Sequence, residues 1–70
     1  MKTEIAYIII TDARNKRKDC IISTLNEKCS LSFANSNAKI TYKENTILID
    51  DGASMMFINS EYIVSIEVIK

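Results

Sequence analysis

The chain predicts a mainly β protein, a single small antiparallel barrel or strongly curved sheet of five to seven short strands, with residues 1–70 forming one domain. Three observations predict it. Residues 62–68 alternate, with Tyr62, Val64, Ile66 and Val68 apolar and Ser65 and Glu67 interrupting, which is the period of a strand and not of a helix. Residues 46–69 divide into three such runs at Asp50-Asp51-Gly52 and Asn59-Ser60-Glu61. The rest of the chain repeats short apolar runs between tight polar turns, and 70 residues suffice for only one core.

Residues 4–11, EIAYIIIT, read as the first strand and place apolar groups on both faces. A domain this small seldom covers both faces of a sheet, so the surplus face predicts an interface with a second copy or a covering helix. Residues 12–19, DARNKRKD, read as a hairpin loop leading into a strand at residues 20–25. The alternative is an α+β fold in which Thr11 or Asp12 caps a helix at about 12–27, with Ala13, Cys20, Ile21 and Leu25 inward. Against that helix, basic residues crowd its first turns and Ile21-Ile22-Ser23-Thr24 favours a strand.

Asn26-Glu27-Lys28 reads as a turn, after which Leu31 and Phe33 point inward and the serines outward. A further turn at 35–37 leads to residues 38–43, where Ala38, Ile40 and Tyr42 share a face. Glu44-Asn45 then reverses the chain into residues 46–49. With no proline and one glycine, Asn and Asp carry the turns, because they tolerate left-handed backbone better than other side chains. Met55, Met56 and Phe57 put soft apolar groups on both faces of the penultimate strand.

Nine basic and nine acidic residues give a net charge of zero, which excludes a generally basic nucleic-acid binder and leaves local patches. The apolar run at residues 5–10 is too short for a signal peptide, nothing reaches the length of a membrane span, and a cytoplasmic location is expected. The absence of histidine leaves no Ser or Cys with a visible base, so neither an enzyme nor a cofactor is expected. Cys20 and Cys29 fall short of the four ligands of a zinc site and read as free core thiols, with a disulfide between adjacent strands as the lesser alternative. Asp50 and Asp51 supply too few ligands for calcium and read as turn chemistry, so no metal site is expected.

Residues 56–68, MFINSEYIVSIEV, resemble the second half of the Sm-like fold, in which the two final strands meet at a tight turn after an apolar-Ile-Arg-Gly pattern. Phe57-Ile58-Asn59-Ser60 stand where that family has Phe-Ile-Arg-Gly, so the Arg and Gly that help bind RNA there are replaced. The family's spaced glycines and Asp–Asn pair in the first half are absent. The resemblance implies a small Sm-like or SH3-like barrel that self-assembles through its edge strands, and it transfers no RNA-binding residue.

The leading functional expectation is a non-enzymatic interaction or regulatory module that acts as a homo-oligomer on a protein partner, with Ile8, Ile10, Met55 and Phe57 at its interface. A second is phosphate reading by Arg14, Lys16, Arg17 and Lys18, on nucleic acid or on a nucleotide sequestered in the manner of a phage-type inhibitor. A structural subunit of a larger assembly is the third. No membrane partner is expected.

Overall fold

The computed structural model describes residues 1–34 and 37–70 and places one helix against two small antiparallel sheets. Helix α1 spans Thr3–Asn15 and is followed by β1 (Cys20–Thr24), β2 (Lys28–Leu31), β3 (Lys39–Lys43), β4 (Thr46–Asp50) and β5 (Met55–Asn59). A single 3-10 turn, Ser60–Tyr62, joins β5 to β6 (Ile63–Val68). The sheets run β2-β1-β6 and β3-β4-β5, and they do not close into a barrel. The class is therefore the α+β alternative, but the helix spans Thr3–Asn15 and overlaps the expected 12–27 segment only at residues 12–15. The predicted turn at 35–37 falls largely on residues 35 and 36, outside the described residues.

The first predicted strand is corrected to a helix, and the reason lies in its core positions. Ala6, Ile10 and Ala13 recur at the spacing of one helical face, and all three are completely buried. The run of isoleucines satisfies either period. What decides is that two alanines let the helix axis approach β3, β4 and β6 closely and roof the core that the two open sheets leave uncovered. Ile10 therefore packs within one copy, while Ile5 and Ile8 face solvent.

The ends of α1 explain why it was hard to foresee. Lys2 provides no side-chain cap, and Thr3 Oγ1 instead hydrogen-bonds the Ser60 hydroxyl at 2.6 Å, tying the helix start to the 3-10 turn. At the other end Arg17 adopts φ 54°, with its N–H donating to the Arg14 carbonyl at 3.0 Å and the Lys18 N–H to the Ala13 carbonyl at 2.9 Å. That is a Schellman closure in which arginine occupies the usual glycine position. Thr11 and Asp12, the expected start of a helix, belong to the end of this one. The basic residues that count against a helix beginning at 12 suit one ending at 15, where the helix dipole favours them.

β1 is the centre of its sheet, with Ile22 opposite Cys29 on β2 and Ile66 on β6. β4 is the centre of the other, where Ile47 and Ile49 face Ile58 and Met56 on β5. One continuous core joins these to Phe33, Ala38, Ile40 and Ile63. Phe33 and Leu31 point inward as expected.

The faces of β6 differ from the predicted alternation. The pairing with β1 shifts between Ser23 and Thr24, so that Thr24 opposes Ile63 and Ser23 opposes Ser65, leaving Val64 as the extra residue of a β-bulge. Ile63 turns inward, and Tyr62 and Val64 point to solvent at 56% and 62% exposure. Tyr42 keeps the face it shares with Ile40, opposite Ile47, but lies at the rim of the core, where it is exposed and tilts against Tyr7 on α1, ring centroids 4.8 Å apart.

Candidate functional site

β5 and β6 are each an outer strand of a sheet, as are β3 and β2 at the opposite edges, so each carries a row of unpaired backbone N–H and C=O groups. β5 points Met56 and Ile58 inward and Met55 and Phe57 outward, at 55% and 67% exposure. Across the pair, Phe57 opposes Leu48, which makes an apolar pair on the outer face of this sheet, while Met55 opposes Asp50. The bulge sets Val64 out from β6, and Tyr62 projects from the turn between the two edges. Met55 and Phe57 thus stand at the surface as the sequence proposes, and Tyr62 and Val64 join the set of exposed apolar groups. Their only advance signal was an apolar alternation that the bulge inverts. Ile8 lies on the separate outer face of α1.

The turn between β5 and β6 has its polar groups committed internally. Asn59 Oδ1 accepts from the Glu61 N–H at 2.9 Å, capping the 3-10 turn, and Ser60 is buried with Thr3 as its partner. The β3–β4 hairpin docks there: the Asn45 carbonyl accepts from the Ser60 N–H at 2.8 Å, and Asn45 Nδ2 donates to Glu61 Oε1 at 2.7 Å. Lys2, Glu4, Glu44 and Glu61 share the surrounding hollow with the Met1 ammonium, and three carboxylates against two ammonium groups disfavour phosphate.

The four basic residues of the second expectation are not equivalent. Lys16 pairs with Asp12 at 3.1 Å across one helical turn, and Lys18 is half-buried beside the Schellman closure. Arg14 and Arg17 converge with Asn15 and Asn37 around a hollow of about 290 Å³. Nothing in the sequence marks either asparagine for this site, and residue 37 comes close only through the fold.

Asp50 and Asp51 form the predicted turn. Asp50 Oδ1 accepts from the Gly52 N–H at 2.9 Å, and Asp51 Oδ1 accepts from the N–H groups of Ala53 and Ser54 at 2.9 and 2.7 Å. The bonds from Ser54 and then Ala53 hold the Asp51 carboxyl below the usual aspartate range. Gly52 supplies the left-handed step, φ 91°.

Cys20 and Cys29 are free thiols. They lie diagonally across the β1–β2 ladder, Cys20 opposite Leu31 and Cys29 opposite Ile22, a placement that does not bring their Cα atoms as near as directly paired residues. Burial, reinforced by Cys29 and Asp19, pushes the Cys20 thiol up to about 11. Cys29 is also raised, by burial and then Glu27, and its Sγ lies 3.6 Å from Met56 Sδ at the wall of a cleft of about 430 Å³ between the β1–β2 hairpin and β5. Among the described residues, no group of three or more Cys, Asp or Glu side chains is placed to hold a metal, and no helix is long and apolar enough to cross a membrane.

Comparison with family models, with curated proteins and with solved structures finds no match to this chain.

Proposed function

We propose that this chain is a non-enzymatic interaction module that assembles with copies of itself through the edge strands β5 and β6, and that the assembly regulates a protein partner. The observation that carries the reading is the concentration of exposed apolar side chains at two of the four sheet edges: Met55 and Phe57 on β5, Tyr62 and Val64 on or beside β6. An open edge with apolar neighbours is a template for strand pairing, and small proteins normally blunt it with charge. Here β5 and β6 carry one charged residue, Glu67, whereas the other two edges, β2 and β3, carry Lys28, Lys39 and Lys43.

Because β5 and β6 belong to different sheets, pairing the β5 of one copy with the β6 of the next is heterologous, and it builds a ring if the rotation closes. The arrangement also supports the Sm-like or SH3-like reading, since two final strands meeting at one tight turn are the feature on which the resemblance rests. Analytical ultracentrifugation at micromolar concentration tests assembly. We expect a defined oligomer that Phe57→Asp or Val64→Lys dissociates, with the dissociation constant rising about 30-fold or more for loss of a central apolar contact. A strictly monomeric native chain overturns the reading. Ile5 and Ile8, on the helix face outside these strands, are the surface left for the protein partner.

A further inference from the structure

The hollow at the C-terminal end of α1 holds two positive charges with no carboxylate among the residues that line it. Arg14 Nη1 donates to the Ala38 carbonyl at 2.8 Å, and its Nη2 and Nε donate to Asn15 Oδ1 at 2.9 and 3.3 Å. Arg17 Nη2 donates to Asn37 Oδ1 at 3.2 Å, and its Nη1 reaches the Ala34 carbonyl at 3.5 Å. Every one of these acceptors is neutral. Each guanidinium is thereby oriented, Arg14 more firmly than Arg17, with no carboxylate partner, in contrast to Lys16, which pairs with Asp12.

A guanidinium has five N–H donors, so these bonds leave donors over on both arginines. Asn15 and Asn37 accept through oxygen, which turns their amide N–H₂ groups into further donors at the rim. The helix carbonyls that would repel an anion are partly occupied, since those of Ala13 and Arg14 accept from Lys18 and Arg17.

We infer that Arg14, Arg17, Asn15 and Asn37 form a binding site for a compact oxyanion, a single phosphate group. Oriented guanidinium forks match the paired oxygens of a phosphate, and their ordering precedes the ligand. The space, about 290 Å³, accommodates a phosphate, and no aromatic side chain lines it to stack on a base. The site therefore narrows the four-residue phosphate expectation to two cations and favours an isolated or terminal phosphate over a strand. It stands whether or not the sheet edges assemble.

The test is titration of the ¹⁵N-labelled protein with inorganic phosphate at constant ionic strength, following the Arg Nε–H and Asn Nδ2–H₂ signals, with chloride as control and pyrophosphate and a short single-stranded oligonucleotide as further arms. We expect saturable shifts confined to Arg14, Asn15, Arg17 and Asn37 with phosphate and pyrophosphate. Arg17→Gln should weaken binding at least tenfold, Arg17→Lys should restore only part of it, and Lys28→Gln on β2 should leave it unchanged. Arg14→Gln also loses the tie to Ala38, so its binding is compared only after its fold is verified, and Arg17→Gln alone suffices to decide. Shifts that fail to saturate, an Arg17→Gln variant that binds like the native chain, or an oligonucleotide that binds while phosphate and pyrophosphate do not, each overturn the inference.

Discussion

Cys20 shows how far one buried side chain can set the chemistry of a chain without histidine. Its thiol is completely covered and is pushed up to about 11, first by burial and then by Cys29 and Asp19, so at pH 8 it is protonated and a poor nucleophile. Iodoacetamide at that pH should label the native protein slowly, Cys29 before Cys20, and both rapidly once the chain is unfolded; rapid native labelling of Cys20 would contradict the burial. The linkage has a definite sign. A thiol raised above its unfolded value, about 8.5, favours the fold at lower pH, so its contribution is complete below that value and is lost as pH rises toward about 11. Denaturant melts between pH 8 and 11 should show this alkaline loss, and Cys20→Ala, though less stable throughout, should flatten it. Asp51 works in the opposite direction: its lowered carboxyl supports the 51–54 turn above the ordinary aspartate value, and that support is lost as pH falls from there through its lowered value. Glu44 is a third local case. It begins the β3–β4 turn at φ 56°, where a glutamate is strained, so Glu44→Asn should raise stability by about 0.5 kcal/mol in chemical denaturation, and a loss would show that its side chain matters more than its backbone.

At the level of elements, α1 and β6 mark the limits of what the sequence makes legible. The strands at 20–24, 39–43, 46–50 and 55–59, and the turns between the last three, are evident because β-branched residues alternate between Asn, Asp and Gly punctuation. The helix is hidden because its signals are unusual: Lys at the N-cap, Arg in the left-handed closing position, and isoleucines that occupy both the core-facing and the exposed stripe. β6 is visible as a strand, but its faces are not, since a bulge is a property of pairing with β1 and leaves no mark at Val64 itself. The candidate sites follow the same division. Met55 and Phe57 can be read from alternation, whereas the pairing of Arg14 with Arg17 around Asn37 requires the helix to end where it does. Ile8 and Ile10 give a direct test of the helix. Ile10→Ala should cost about 2–5 kcal/mol, the range for emptying a packed site, and Ile8→Ala about 0.5 kcal/mol or less for a surface change. Equal costs would fit a strand, in which residues 8 and 10 share one buried face, and would remove α1.

The whole molecule presents more surface than its mass requires. One copy exposes 4830 Å², whereas a folded monomer of 7.9 kDa is expected to expose about 4400 Å². The excess matches two sheets that stay open, each with both outer strands unpaired, and with Phe57, Val64, Tyr62 and Met55 in solvent. Covering those edges with a second copy satisfies backbone groups and removes apolar area together, and it also adds stability that a 70-residue core has little means to supply alone. Assembly then couples folding to mass action. The melting temperature of the native chain should rise by about 3–8 °C for each tenfold increase in protein concentration, because such a step contributes roughly 1 kcal/mol per chain and small domains shift by several degrees per kcal/mol. Val64→Lys, exposed on the bulge and outside the core, should melt at a lower temperature that no longer depends on concentration. A native melting temperature that stays constant across two decades of concentration would mean that the open edges are tolerated by a monomer, and the apolar residues along β5 and β6 would then need a partner other than the chain itself.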